Sequence, residues 1–146
     1  MSVPLSGRLY LDSNVFIYSV EKIEPYATLL RPLWLAASRG DCQLMASPLA
    51  LLETLVGPLR AEDRDLARIY RSLLGSAEVH MFDLSREIFE QAAELRATFG
   101  LKTPDALHAA TAIEHGADSL LTNDPHFRRV SNEIPILVLQ DLVSEG

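Results

Sequence analysis

Short apolar runs alternate with longer helix-forming stretches along nearly the whole chain, and this alternation limits the fold more than any single motif does. The runs lie at residues 8–11, 43–46, 78–82, 119–122 and 136–139, with helix-forming stretches at 15–20, 25–39, 48–56, 62–74, 86–99 and 104–115. Strands that are apolar throughout and separated by helices imply a parallel sheet covered on both faces. The expectation is an α/β fold in one domain spanning 1–146, its central, mostly parallel sheet flanked by helices on both faces. Ser47-Pro48, Thr103-Pro104 and Asp124-Pro125 each place a capping side chain before a proline suited to a first helical turn. Ser85 marks another start, Gly40, Gly75, Gly100 and Gly116 read as stops, and Pro32 is expected to kink or shorten its helix.

At 146 residues and 16.2 kDa the chain is long enough to bury a substantial core, and 48% hydrophobic against 23% charged residues is a globular balance. Cys42 is the single cysteine, so no internal disulfide forms and no cysteine-based zinc site is available. No run approaches the ~18–20 apolar residues of a membrane span, and the first eight residues do not read as a secretory leader; the expected location is the cytoplasm. The net charge of −7 argues against a broad basic grip on nucleic acid. Two divalent cations would nevertheless bring −7 to −3.

Against this apolar background four carboxylates stand out. Asp12 ends the run at 8–11, Asp124 follows the run at 119–122, and Asp105 opens the helix from Pro104. Glu53 has Leu49, Leu52 and Val56 as its helical neighbours, where a solvated stripe would carry further polar residues. In open parallel sheets sites form beyond the carboxyl ends of the strands, where Asp12 and Asp124 both fall. Ala106, Ala109, Ala110 and Ala112 give the helix of Asp105 a small-residue surface for close approach to that sheet. Each acid has an ordinary explanation: Asp12 in a turn, Asp105 at a helix dipole, Asp124 as a cap. The functional weight rests on the set. Two unit charges about 4 Å apart repel by roughly 4 kcal/mol at an effective dielectric near 20, so a gathered quartet must bind protons or cations. Oxygen-only donors select hard ions such as Mg²⁺ or Mn²⁺.

The order of these acids, carried by Leu11-Asp-Ser-Asn-Val15, Ser47-Pro-Leu-Ala-Leu-Leu-Glu53, Thr103-Pro-Asp-Ala-Leu-His-Ala-Ala110 and Leu121-Thr-Asn-Asp-Pro-His-Phe127, resembles the PIN-domain nucleases, especially the VapC-type toxins of toxin–antitoxin pairs. The resemblance implies a single PIN domain and a metal-dependent endoribonuclease. It also implies a tRNA or ribosomal RNA substrate cut to leave a 5′-phosphate, a VapB-type antitoxin partner and a homodimer. By the same resemblance Asp12, Glu53, Asp105 and Asp124 are the catalytic metal ligands, with Ser13, Asn14 and Thr122 supporting them. Lys102, Arg128 and Arg129, which flank the last two motifs, and His126 within the fourth are candidate RNA contacts. His126 departs from the family pattern, where a further acid often stands.

His108, three residues after Asp105, reads as a packing or hydrogen-bonding residue before it reads as a general base; His80 and His115 carry no signal. Arg60, Arg64, Arg68 and Arg71 have the spacing of one helix face, either a phosphate-contacting stripe or a solvated face paired with Glu62, Asp63 and Asp65. Alternatives remain from other classes: a PIN nuclease of RNA processing, a binding-only PIN scaffold, a haloacid-dehalogenase-like phosphotransferase or a receiver domain. The phosphotransferase normally needs a second aspartate where this chain has Asn14, and the receiver needs a lysine for which Lys102 is the only plausible candidate.

Overall fold

The computed structural model describes residues 2–144. Five strands, β1 (Gly7–Leu11), β2 (Cys42–Ala46), β3 (Val79–Met81), β4 (Ser119–Thr122) and β5 (Ile136–Val138), form one sheet in the order β3-β2-β1-β4-β5. Every pairing among them is parallel. The helices are α1 (Ser13–Val20), α2 (Tyr26–Ser38), α3 (Pro48–Arg60), α4 (Arg64–Leu74), α5 (Arg86–Phe99), α6 (Thr103–Glu114) and α7 (Leu139–Ser144), with a 3₁₀ turn at Pro125–Val130. No helix among the described residues is long and apolar enough to cross a membrane.

Side chains alternate across the sheet, as a period of two requires, and split the core. Leu9, Leu11, Leu44, Ala46 and Leu121 face one cluster with Val15 and Phe16 of α1, Leu30 and Leu33 of α2, Leu74 of α4, and Leu139 and Leu142 of α7. Tyr10, Met45 and Leu120 face the other, with Ile88, Ala92 and Leu95 of α5 and the alanines of α6. Both faces are therefore covered, and the expected small-residue contact forms: Ala106, Ala109, Ala110 and Ala112 are all buried.

The element ends depart from expectation in instructive ways. α2 runs through Pro32 to Ser38 and α3 runs through Pro58 to Arg60. Buried Leu30, Leu33, Ala36 and Ala37 hold the first, and buried Thr54 and Pro58 the second; tertiary packing outweighs a missing N–H. Arg60 consequently closes α3, while Arg64, Arg68 and Arg71 belong to α4, whose cap is Asp63. Thr103 is not a cap: Lys102 holds that position, and the Thr103 hydroxyl accepts from Arg96 Nη1 at 2.7 Å. Ser85 and Asp63 do cap, each accepting a backbone N–H three residues on. β3 and β5 are shorter than the apolar runs that marked them, and Leu139 opens α7, for which no cap signal exists.

Candidate functional site

The chain passes from β1 outward to β2 and β3, then returns to place β4 on the other side of β1. The crevice beyond the strand ends opens at such a reversal, between the ends of β1 and β4. The Asp12 N–H bonds to the Leu121 carbonyl at 2.9 Å, so sheet pairing continues one residue past β1 and fixes Asp12 beside β4. Asp12 is 7% exposed. Its Oδ1 accepts the Ser13 N–H at 2.7 Å and its Oδ2 accepts the Thr122 hydroxyl at 2.7 Å, with Asn14 Nδ2 at 3.4 Å. Thr122 Oγ1 also accepts the Asp124 N–H at 3.0 Å. One hydroxyl thus ties the two strand-end acids together.

Glu53, in the second turn of α3, reaches the same crevice. Its Oε1 accepts from Ser13 Oγ at 2.7 Å and faces His108 Nε2 at 2.6 Å. Burial pushes its carboxyl up, but the His108 hydrogen bond and charge, with the Ser13 hydroxyl, bring it below the usual value. Glu53 is therefore a carboxylate and Nε2 must be the donor. His108 is fully buried on α6, and its Nδ1 lies 2.7 Å from the Tyr10 hydroxyl, itself 3.0 Å from Ser47 Oγ. Burial disfavours a charged ring; Glu53, Asp12 and Asp105 overcome this and raise its pKa.

Asp105 opens α6 one turn before His108 and accepts no hydrogen bond from the described residues. Burial, then the charges of Asp12 and Asp124, push its carboxyl up to about 6, with His108 opposing and Glu53 adding to the rise. Asp124 caps the 3₁₀ turn, Oδ1 accepting the His126 N–H at 2.9 Å and lying 2.8 Å from the ring Nδ1. Burial, the largest single influence, raises its carboxyl; the His126 hydrogen bonds and charge, with Lys102, together outweigh this and lower it. Asp105 thus lies within electrostatic reach of the other three acids of the sequence pattern, Asp12, Asp124 and Glu53.

Of the cationic candidates, Lys102, His126 and Arg129 line a cleft of about 110 Å³ with Gly100, Leu101 and Asp105. Arg128 does not line it and pairs with Asp141 of α7. Arg64, Arg68 and Arg71 line a separate groove of about 660 Å³ beside Pro58 and Leu59, which none of the four acids reaches. Arg68 there pairs with Asp65 at 3.2 Å.

The site can hold a hard cation. Single ligand atoms of Asp12, Glu53 and His108 lie within 4.8 Å of one another. The Nε2 proton is committed to Glu53, however, so the donors left are carboxylate oxygens, the set suited to Mg²⁺ or Mn²⁺. Asn14 Oδ1 is buried beside Asp12 without a hydrogen-bond partner among the described residues, a further oxygen suited to orienting water. Sequence reasoning missed the Ser47–Tyr10–His108 chain that backs Glu53. Its signals were His108, read from the sequence as a packing or hydrogen-bonding residue, and a tyrosine inside an otherwise apolar strand.

A sequence model of the PIN domain matches residues 9–133, from β1 past the 3₁₀ turn and across all four acids. The chain belongs to the PIN-domain family. No curated protein sequence matches this PIN domain at a significant level. Among solved structures its fold is similar to VapBC2 from Rickettsia felis bound to a DNA fragment from the promoter, with TM-score 0.69 and 20% identity over 90% of this chain and 98% of that one. A toxin–antitoxin complex from Klebsiella pneumoniae gives TM-score 0.67 and 21% identity over 89% and 96%. Mycobacterium tuberculosis VapC20, a sarcin-ricin loop cleaving toxin, gives 0.64 and 17% over 77% and 86%. At such identities the likeness is one of fold.

Proposed function

We propose that this PIN domain is an Mg²⁺- or Mn²⁺-dependent endoribonuclease and the toxin of a VapBC-type pair. The observation that carries the reading is the gathering of Asp12, Glu53, Asp105 and Asp124 from four separate elements, with Asp105 raised to about 6 by burial and its acidic neighbours. Such a cluster has little structural use without a cation. The four carboxylates would hold the ion, which when bound supplies Lewis acidity toward a phosphate oxygen and a lowered pKa for water. Ser13 and Thr122 hold Glu53 and Asp12 in place through their hydroxyls, and Asn14 adds a contact to Asp12. Lys102, Arg129 and His126 border the acids with the charge and donors that suit RNA phosphates; Arg128, engaged by Asp141, contributes less.

The resemblance of the motifs to VapC-type toxins, and the fold shared with toxin–antitoxin structures, support a VapB-type antitoxin as partner and tRNA or ribosomal RNA as target in the cytoplasm. Leu52, Val56 and Leu59 form an exposed apolar stripe on α3, with Ile69 exposed on α4, which supports a homodimer contact there. A PIN nuclease of RNA processing would share the chemistry but would not arrest growth.

Purified protein assayed on mixed tRNA and rRNA should cleave with Mg²⁺ or Mn²⁺ and stop with EDTA. Asp12→Asn and Asp105→Asn should each lose more than ~100-fold, beyond the 10–100-fold typical of a residue that only orients a ligand. Chelator-resistant cleavage, or full activity in folded Asp12→Asn, defeats the reading. Expression without arrest of growth would favour the processing enzyme.

A further inference from the structure

We propose that His108 is a positioning residue which, backed by Tyr10 and Ser47, fixes the rotation of the Glu53 carboxylate so that only Oε2 is offered to a cation. The inference rests on the metal-site reading above and assigns to this histidine a donor's part in place of a ligand's.

Glu53 Oε1 is the atom within hydrogen-bonding range of both Ser13 Oγ and His108 Nε2, at 2.7 and 2.6 Å. Two lone pairs meet two donors, which saturates that oxygen. Oε2 takes no hydrogen bond from the described residues. His108 Nε2 is 3.5 Å from Asp12 Oδ1, beyond a good hydrogen bond, so its proton belongs to Glu53. On the far side of the ring the Tyr10 hydroxyl sits at 2.7 Å from Nδ1 and 3.0 Å from Ser47 Oγ. The Glu53 carboxylate can only accept, so the 2.6 Å contact calls for a proton on Nε2; the ring is then neutral if the hydroxyl donates to Nδ1, and protonated at both nitrogens if Nδ1–H donates to the hydroxyl.

The geometry of the chain is unusual for its termini. Ser47 occupies the N-cap of α3 with extended backbone, yet its side chain makes no cap hydrogen bond. A serine cap contributes typically to helix stability by accepting an N–H of the first turn; here the oxygen faces Tyr10 instead. Ser47 and Glu53 both belong to the α3 segment, and the link between them leaves that segment, crosses β1 through Tyr10 and returns from α6 through His108. The glutamate is thereby locked to the two elements that carry Asp12 and Asp105. Tyr10 and His108 are both completely buried and meet edge to face, ring centroids 5.6 Å apart, so neither ring can turn aside. Imidazoles and hydroxyls that orient a ligating group typically change metal affinity 10–100-fold when removed.

The test is Mn²⁺ titration of the metal-freed protein by calorimetry, with electron spin echo spectra of the loaded forms. His108→Leu should bind Mn²⁺ about 10–100-fold more weakly while keeping a cooperative melt. His108→Gln, whose amide can still reach Glu53 as a donor, should recover most of that loss. Tyr10→Phe, which leaves the ring in place but frees its far nitrogen, should show a smaller loss of the same sign. Bound Mn²⁺ in the parent should show no coupling to a directly coordinated imidazole nitrogen. Unchanged affinity in folded His108→Leu, failure of His108→Gln to exceed it, or a directly coordinated nitrogen would each overturn the assignment. Failure of the parent itself to bind Mn²⁺ would overturn the metal-site reading, an outcome recognisable without any variant.

Discussion

Asp105 and Thr122 illustrate opposite ways of keeping acids together. Thr122 supplies a neutral hydroxyl between Asp12 and the Asp124 backbone, whereas Asp105 is left to titrate. Its raised carboxyl means that the fold favours the protonated form. This group therefore imposes no penalty at low pH, and a penalty builds as pH rises from 3.8 to about 6. Glu53 and Asp124, both lowered, work in the other direction, but their contribution is lost only as pH falls below the ordinary carboxylate range. Metal-free protein should accordingly lose stability through Asp105 as pH rises from 3.8 to about 6. Calorimetry on Asp105→Asn should show a flatter profile and a melting point at pH 7.5 about 2–4 °C above the parent, equivalent to ~1 kcal/mol once screening of a half-exposed group is allowed for. Parallel profiles for parent and variant would remove Asp105 from the electrostatic nest. His108, raised from 6.5, adds stability that is full below that value and declines as pH rises through its folded value; it extends the same trend upward in pH.

At the scale of elements, α5 and α6 meet through Gly100, which closes α5 with φ of 70°. An alanine Cβ there would approach Arg129 Nη1 at 3.5 Å, ordinary contact, so the penalty is backbone strain alone. Gly100→Ala should lower unfolding free energy by about 1–2 kcal/mol in urea titration, with Asp105, five residues on, feeling the displacement as a reduced response to Mn²⁺. A neutral outcome would mean that this turn relaxes. The strands, the two covered faces and the four acids were legible in the sequence because period, apolar runs and capping residues are local signals. What was not legible shares a different origin. Pro32 and Pro58 remain inside helices because residues distant in the chain bury their turns. Arg60 left its expected face because α3 continues past 56, and Thr103 yielded the cap to Lys102 because Arg96 holds its hydroxyl. The histidine donating to Glu53 was a matter of partners 55 positions apart, which no local pattern encodes.

For the molecule as a whole, a net charge of −7 concentrated partly in one crevice should make the folded state responsive to divalent cations. A ligand that binds only the native state at 100 times its Kd adds about 2.7 kcal/mol, or roughly 5–10 °C for a domain of this size. Saturating Mn²⁺ should raise the melting point by that order, EDTA should reverse it, and Asp12→Asn should abolish it; an identical shift in Asp12→Asn would place the ion elsewhere. The parallel sheet also carries a consequence for biosynthesis. Because β4 lies next to β1 on the side away from β2 and β3 and follows them in the chain, a growing chain that has not yet reached β4 has Asp12 and Glu53 without Asp124 or the Thr122 tether. A chain still lacking residues 119–124 therefore holds an incomplete set of acids, and the four carboxylates stand together only once that segment has joined the sheet.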